Sequence, residues 1–470
     1  MAESPTQIAH ETQTPRGVEE LAIALANLDP KPVTNFTPDN LDSIMEDFLS
    51  GENRNPDNAT YSKLDDLDFD NKSAQYLEIL EEIRNHPGIP KKHLHVYESF
   101  VQRSLDINEL MRQAVLYRTA SSEEERDTAQ EQFNELNKRL YGEPQTSTAA
   151  AMVSEVINDT SNLQDPSLLR IREEFINLLP ADLANSGAET ESLEPSDDAR
   201  ETIDRAVELM YSPLLKHADV LIDQLADEGG VTEDKLKIGP QAIAVIFQTI
   251  IDKEFSESGW GTVIGQANAI YVDPATKTVK VPEERIPATA NKVRGLVVHE
   301  LGVHMLRSII GEKADLIPLR FGLSGVGEAE EGIAKVMESA LTDDASRTGY
   351  QHYLTATILG KGYDFRSTFE IMWRYKVLDK CLEKPKSDID QDFIDKQKEA
   401  TFKFMFRSIR GTNKLPWHVT LNYFDGTHKI WEYVERYKGD PDFISIMFMG
   451  KIDPTNEDHL HGAFDAKGRV

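Results

Sequence analysis

The sequence predicts an α+β fold that is mostly helical, with a small sheet placed just before two helices that share histidine and glutamate. Three observations carry this. Apolar residues recur at three- and four-residue spacing along most of the chain, the period of a helix with one buried face. Between residues 262 and 281 that period gives way to short segments rich in β-branched residues. An apolar run from Val293 to Ile310 then holds His299, Glu300 and His304, and a second helical run beginning near Gly327 holds Glu330 and Glu331.

Taken in order, residues 1–18 are polar and aperiodic and read as a disordered tail. Helices are expected from Val18 until Pro30 and Pro32 end the pattern, and over Leu41–Leu49 behind a cap at Pro38-Asp39-Asn40. Ser50–Lys72 reads as a solvated acidic connection. Further helices are expected at Tyr76–Arg84, Leu94–Ala120, Ser121–Leu140, Ala149–Asn158, Leu168–Leu179 and Ala199–Leu225, with a break at Tyr141-Gly142-Glu143-Pro144 and a polar linker over 185–198. After Gly229-Gly230 come a helix at Pro240–Lys253 and strands at Thr262–Gly265, Ala267–Val272 and Thr278–Val281. The last two are joined by the turn residues Asp273-Pro274-Ala275-Thr276. Helical patterns return at Tyr350–Leu359, Phe365–Leu382, Asp392–Ser408, Gly426–Tyr437 and from Asp440-Pro441 to Met449. These divisions suggest a helical N-terminal region at 19–230, a catalytic domain at 235–455 and a C-terminal tail at 456–470.

With 470 residues and 39% apolar content the chain can bury a sizeable core. Its single cysteine, Cys381, excludes an internal disulfide and any Cys-rich zinc finger, so a metal would be held by histidine and carboxylate. No basic start with an apolar core and no run of eighteen apolar residues is present, which reads as soluble and cytoplasmic with no membrane partner. A formal charge of −30 argues against nucleic acid, which needs clustered cations. The acid is uneven: residues 1–50 hold nine Asp/Glu against two Lys/Arg, whereas 401–470 hold nine against ten. That near-neutral segment could accept an anionic ligand.

Hydrolysis at zinc needs three protein ligands, an open position for water and a general base. Two histidines, one glutamate and Glu300 could fill these roles. The usual spacing is His-Glu-x-x-His, but His299 and His304 are one residue further apart. In a regular helix, residues five apart point about 140° from one another, too far for one ion. Either the pair are partly buried histidines bonded to backbone carbonyls, or the helix carries a one-residue π-bulge, most easily at Gly302. Glu330 and Glu331, twenty-six and twenty-seven residues after His304, are both placed to supply a third ligand from a neighbouring helix.

The elements His299-Glu300-Leu301-Gly302-Val303-His304, Arg320-Phe321-Gly322-Leu323 and Glu330-Glu331-Gly332-Ile333-Ala334 resemble H-E-I-G-x-H, R-x-G-L and Q/E-E-G-L-A of the microtubule-associated tyrosine carboxypeptidase (MATCAP) family and its bacterial QEGLA-motif, flavohaemoglobin expression-modulating relatives. Tyr141-Gly142-Glu143-Pro144, Arg407-Ser408-Ile409-Arg410-Gly411, Tyr423-Phe424-Asp425-Gly426 and Gly450-Lys451 are similar to further family elements, so the likeness spans roughly 35–455. It implies a zincin-like metallopeptidase core, Zn²⁺ as cofactor, His299, His304 and Glu331 as ligands, and Glu300 as catalytic base. It also implies removal of a C-terminal residue, an aromatic one by the family's name, from a peptide or protein. One departure stands out: Val419-Thr420 occupies the place of a usual Lys-Asp pair.

A carboxypeptidase needs a fixed cation for the terminal carboxylate, and arginine can offer two parallel hydrogen bonds. Arg320 and Arg410 are favoured because they lie in motif elements; Arg407 and Arg374 are further candidates. Tyr423 could donate to the oxyanion. The competing expectations are a metal-binding regulatory or scaffold protein without turnover, and a zinc endopeptidase or amidohydrolase on the same site.

Overall fold

Helices form where the apolar period and the caps place them. The computed structural model describes residues 16–28, 36–51, 53–65, 67–184, 193–267, 269–342, 347–382 and 389–467. Most of the expected tail and most of the 185–198 linker lie outside these residues. Val18–Leu28, Leu41–Leu49, Phe69–Asn85, Leu94–Thr119, Glu123–Tyr141, Thr146–Asp159, Pro166–Leu178 and Asp197–Gly229 are helical. Glu123–Tyr141 opens on a capping box in which Ser122 and Glu125 each satisfy the other's backbone amide. No helix among the described residues is long and apolar enough to cross a membrane.

Two local expectations are corrected. Asn40 occupies the position before Leu41–Leu49, but its side chain makes no cap. Its Oδ1 accepts instead from the Thr60 amide at 3.0 Å, and Asp39 accepts from the Ser62 amide at 2.6 Å. The Ser50–Lys72 stretch is therefore clipped down, and it is not wholly solvated: Tyr61 and Leu64 are buried. Tyr61 Oη donates to Asn413 at 2.7 Å and accepts from the Gly411 amide at 2.9 Å.

The sheet is mixed. β1 (Gly261–Gly265) runs parallel to the central β3 (Thr278–Pro282), and β2 (Tyr271–Asp273) pairs antiparallel on the other side. β2 and β3 form the expected hairpin, with Asp273 Oδ1 accepting from the Ala275 amide at 3.0 Å, although β2 starts only at Tyr271. Val279 and Val281 of β3 are fully buried in the same core as the histidine-bearing helix.

Three apolar clusters hold the chain together. One joins helices from the first 183 residues to the segment from Tyr350 to Phe424. A second joins helix Asp197–Gly229, helix Pro240–Glu254, the sheet and the two helices that bear the histidines and glutamates. The third joins Val18–Leu28 and Phe69–Asn85 to residues near Leu319 and to Ala463 and Ala466 of a helix at Glu457–Lys467. Burial thus interleaves distant segments and does not follow the sequence division at 230–235.

Candidate metal centre

Thr289 caps helix Ala290–Leu296 by accepting from the Lys292 amide at 3.3 Å. The chain then widens into a π-helix over Val297–Met305 and returns to α-helix at Leu306–Glu312. Widening resolves the spacing problem, because a ladder of i to i+5 bonds returns residues five apart to one face. The rings of His299 and His304 consequently face the same space, their centroids 4.8 Å apart and their planes at 77°. Gly302 has a different reason from the one its backbone freedom suggests. Its φ is not positive; a Cβ there would lie 2.8 Å from the ring of Tyr211, which crosses from helix Asp197–Gly229.

The glutamate helix, Gly327–Ser339, lies against this π-turn. It reaches both rings from behind and in front. His299 Nδ1 donates to Glu338 Oε2 at 3.0 Å, and His304 Nδ1 donates to Glu330 Oε1 at 2.8 Å. With both Nδ1 atoms held, the Nε2 atoms are turned toward Glu331, whose oxygens lie 3.8 Å from His299 Nε2 and 3.7 Å from His304 Nε2. The adjacent glutamates thus face different partners.

Further charges hold the two supporting carboxylates. Glu338 pairs with Lys292 at 2.6 Å and Lys335 at 2.8 Å. Glu330 pairs with the fully buried Arg307 and, at 3.2 Å, with Lys451; Arg307 also donates to the Ile452 carbonyl at 2.5 Å. Burial alone would raise both carboxyl pKa values, but the cations and imidazoles around them hold both well below the usual range. Burial works against a charged His299, yet Glu338, Glu300 and Glu331 together lift its pKa. Glu300 is buried, and burial pushes its pKa up against the opposing pull of His299 and His304.

These groups open on a cavity of about 440 Å³ whose walls include His299, Glu300, His304, Glu331, Tyr423 and the β2 residues Tyr271 and Val272. The ligand atoms of His299, Glu300 and His304 lie within 4.8 Å of one another. A tetrahedral ion with bonds of about 2.1 Å sets its ligand atoms about 3.4 Å apart. The separations from Glu331 to each Nε2 are within a few tenths of an ångström of that. Two imidazoles whose other nitrogens are fixed by carboxylates, with further carboxylates in front of them, are a donor set that could hold a metal ion.

One helix crossing explains two motif glycines. A Cβ on Gly332 would lie 2.1 Å from the Gly426 carbonyl oxygen, and one on Gly426 would lie 2.1 Å from that of Glu328. Helix Asn422–Tyr437 therefore presses directly on the glutamate helix beside Glu331 and brings Tyr423 to the cavity.

The sequence-favoured arginines separate. Arg320 is buried in a cluster with Glu19 at 3.0 Å and the Pro274 carbonyl, and Arg374 is paired with Glu174 and Glu370, both at 2.7 Å; neither lines the cavity. Arg410 donates to the Arg407 carbonyl at 2.8 Å, and burial together with Arg407 lowers its pKa to about 10. Arg407 lines an adjoining cavity. Val419 and Thr420 line neither cavity. Glu338, Arg307 and Lys451 were not among the sequence candidates. For Glu338 a signal existed: Glu331, Lys335 and Glu338 recur at helical spacing on one face.

Compared with known proteins, the chain matches no family model, no curated protein and no solved structure.

Proposed function

We propose that this chain is a zinc peptidase with a zincin-like core, in which His299, His304 and Glu331 hold the ion and Glu300 is the general base. The convergence of both Nε2 atoms on Glu331, with each Nδ1 locked to its own carboxylate, supports this reading best. When bound, zinc would polarise the scissile carbonyl and make water acidic enough to give up a proton near neutral pH. Glu300, its pKa raised by burial, is a strong proton acceptor for that water and a donor to the leaving amine. Tyr423, whose pKa burial also raises, keeps its proton for the oxygen on which negative charge develops. Glu338 and Glu330 hold the imidazoles in one tautomer and orientation.

The resemblance to the MATCAP family supports cleavage at a C-terminus over cleavage within a chain. Elemental analysis of purified protein should find one zinc per chain, lost in His299→Ala. Glu300→Gln should keep the zinc and lose activity about a thousandfold on a C-terminal peptide library. Wild-type protein that neither carries nor takes up zinc would overturn the reading. Bound zinc without turnover of any peptide would leave a metal-binding scaffold, and equal cleavage of free and amidated C-termini would make it an endopeptidase.

A further inference from the structure

Beside the metal cavity lies a second one of about 710 Å³, and Lys335 and Tyr423 line both. Its walls carry five cations, Lys335, Arg347, Lys376, Lys380 and Arg407, against three carboxylates, Asp159, Glu194 and Asp379, in a chain whose formal charge is −30. Arg347 is already spent on Glu155 at 2.8 Å, Asp379 at 3.0 Å and Asp159. Arg407 and Lys376 differ: among the described residues neither has a carboxylate within ion-pair distance, and Lys376 only rests 5.1 Å over the ring of Phe404. His352 lines the same cavity. It is 8% exposed, it stacks on the Tyr423 ring at 5.5 Å, and its Nδ1 has no hydrogen-bond partner among the described residues.

We propose that this second cavity is the substrate's carboxylate subsite, where Arg407 and Lys376 take an anionic group while the reacting bond lies at the metal cavity across Tyr423. The inference rests on the peptidase reading for the identity of the substrate. Arg407 can offer a carboxylate two parallel hydrogen bonds and Lys376 a point charge. Their surroundings favour an incoming anion. Burial, with Lys380 and Arg407 nearby, lowers the Lys376 pKa to about 8, a strain that a carboxylate would relieve. Burial and the cations Arg407, Arg410 and Lys376 push His352 down to about 3, so its ring is neutral and its free nitrogen can serve as hydrogen-bond donor without adding charge. The carboxylate can come from the peptide's free terminus or from an acidic side chain, and the cavity accepts both chemistries.

The test is calorimetric binding to the zinc-supplemented full-length Glu300→Gln protein, with and without Arg407→Gln or Lys376→Gln. Three probes are used: an acetylated five-residue alanine peptide ending in phenylalanine with a free carboxylate, its amide, and the amide with one alanine replaced by glutamate. Each added substitution should weaken binding of a carboxylate-bearing peptide about tenfold or more, leave the uncharged amide unaffected and leave the melting temperature unchanged. Loss for the first peptide alone assigns the terminal carboxylate; loss for the glutamate peptide assigns a side chain. No binding by either carboxylate-bearing peptide, unchanged affinities, or equal weakening for the uncharged amide would overturn the subsite. Because binding is read without turnover, that failure is distinct from the failure of the peptidase reading, which is absence of zinc from the wild-type protein.

Discussion

Two adjoining cavities meet at Tyr423 and Lys335, and they are built on opposite principles. In the cavity of the histidines the groups that orient the rings are themselves held: Glu338 has two lysines and an imidazole, and Glu330 has Arg307, Lys451 and an imidazole. In the neighbouring cavity Arg407 and Lys376 face open space without an acidic partner among the described residues. The difference teaches where binding energy is stored. Groups that must hold one geometry are mutually satisfied, whereas groups that await a ligand remain unsatisfied until it arrives.

The sharpest way to break this comparison is to remove one held carboxylate. Glu330→Ala leaves Arg307 buried and uncompensated and should destabilise the metal-free protein by about 3–5 kcal/mol in urea unfolding. Glu331→Ala, one residue on, should leave metal-free stability near wild type while zinc binding is lost. Equal destabilisation by both would show that Glu331 is as structural as its neighbour. Next in size, Glu338→Gln should weaken zinc affinity about 10–100-fold in a chelator competition, because His299 loses the carboxylate that fixes its ring. Gly332→Ala should cost about 2 kcal/mol although alanine is the better helix former by about 1 kcal/mol, since its methyl would meet the Gly426 carbonyl. A neutral or stabilising result would mean that the helix crossing yields.

The smallest effect concerns pH and belongs to the second cavity. His352 titrates near 3 when folded and near 6.5 when unfolded, so between those values the unfolded chain binds the extra proton. Stability should therefore fall as pH drops from about 6.5 toward 3. His352→Gln should flatten part of that acid limb, by about 2 kcal/mol at pH 5, and leave stability at pH 8 little changed. An unaltered acid limb would show that His352 is solvated and protonates freely.

Much of this was legible in the chain itself. The helical period, the β-branched segments, the Ser122 capping box and the Asp273 turn are local, and local sterics and hydrogen bonding are enough to place them. The extra residue between His299 and His304 leaves a choice between two buried histidines on a regular helix and a one-residue bulge, and the π-helix at Val297–Met305 is on the side of the bulge, over a longer stretch. What the local pattern could not decide was which partner each side chain meets. Glu330 and Glu331 are chemically identical neighbours, and only the packing of their helix on the π-turn sends one to Arg307 and an Nδ1 and the other toward both Nε2 atoms. The motif favours Arg320 over Arg407, yet tertiary contacts pair Arg320 with Glu19 and leave Arg407 lining a cavity. Backbone freedom suggests Gly302 as a flexible joint, whereas the ring of Tyr211, distant in sequence, gives it its reason. Periodicity and caps depend on residues a few positions apart, and the sequence states those directly; charge pairing and close approach depend on distances between segments far apart along the chain, which exist only once the chain has folded.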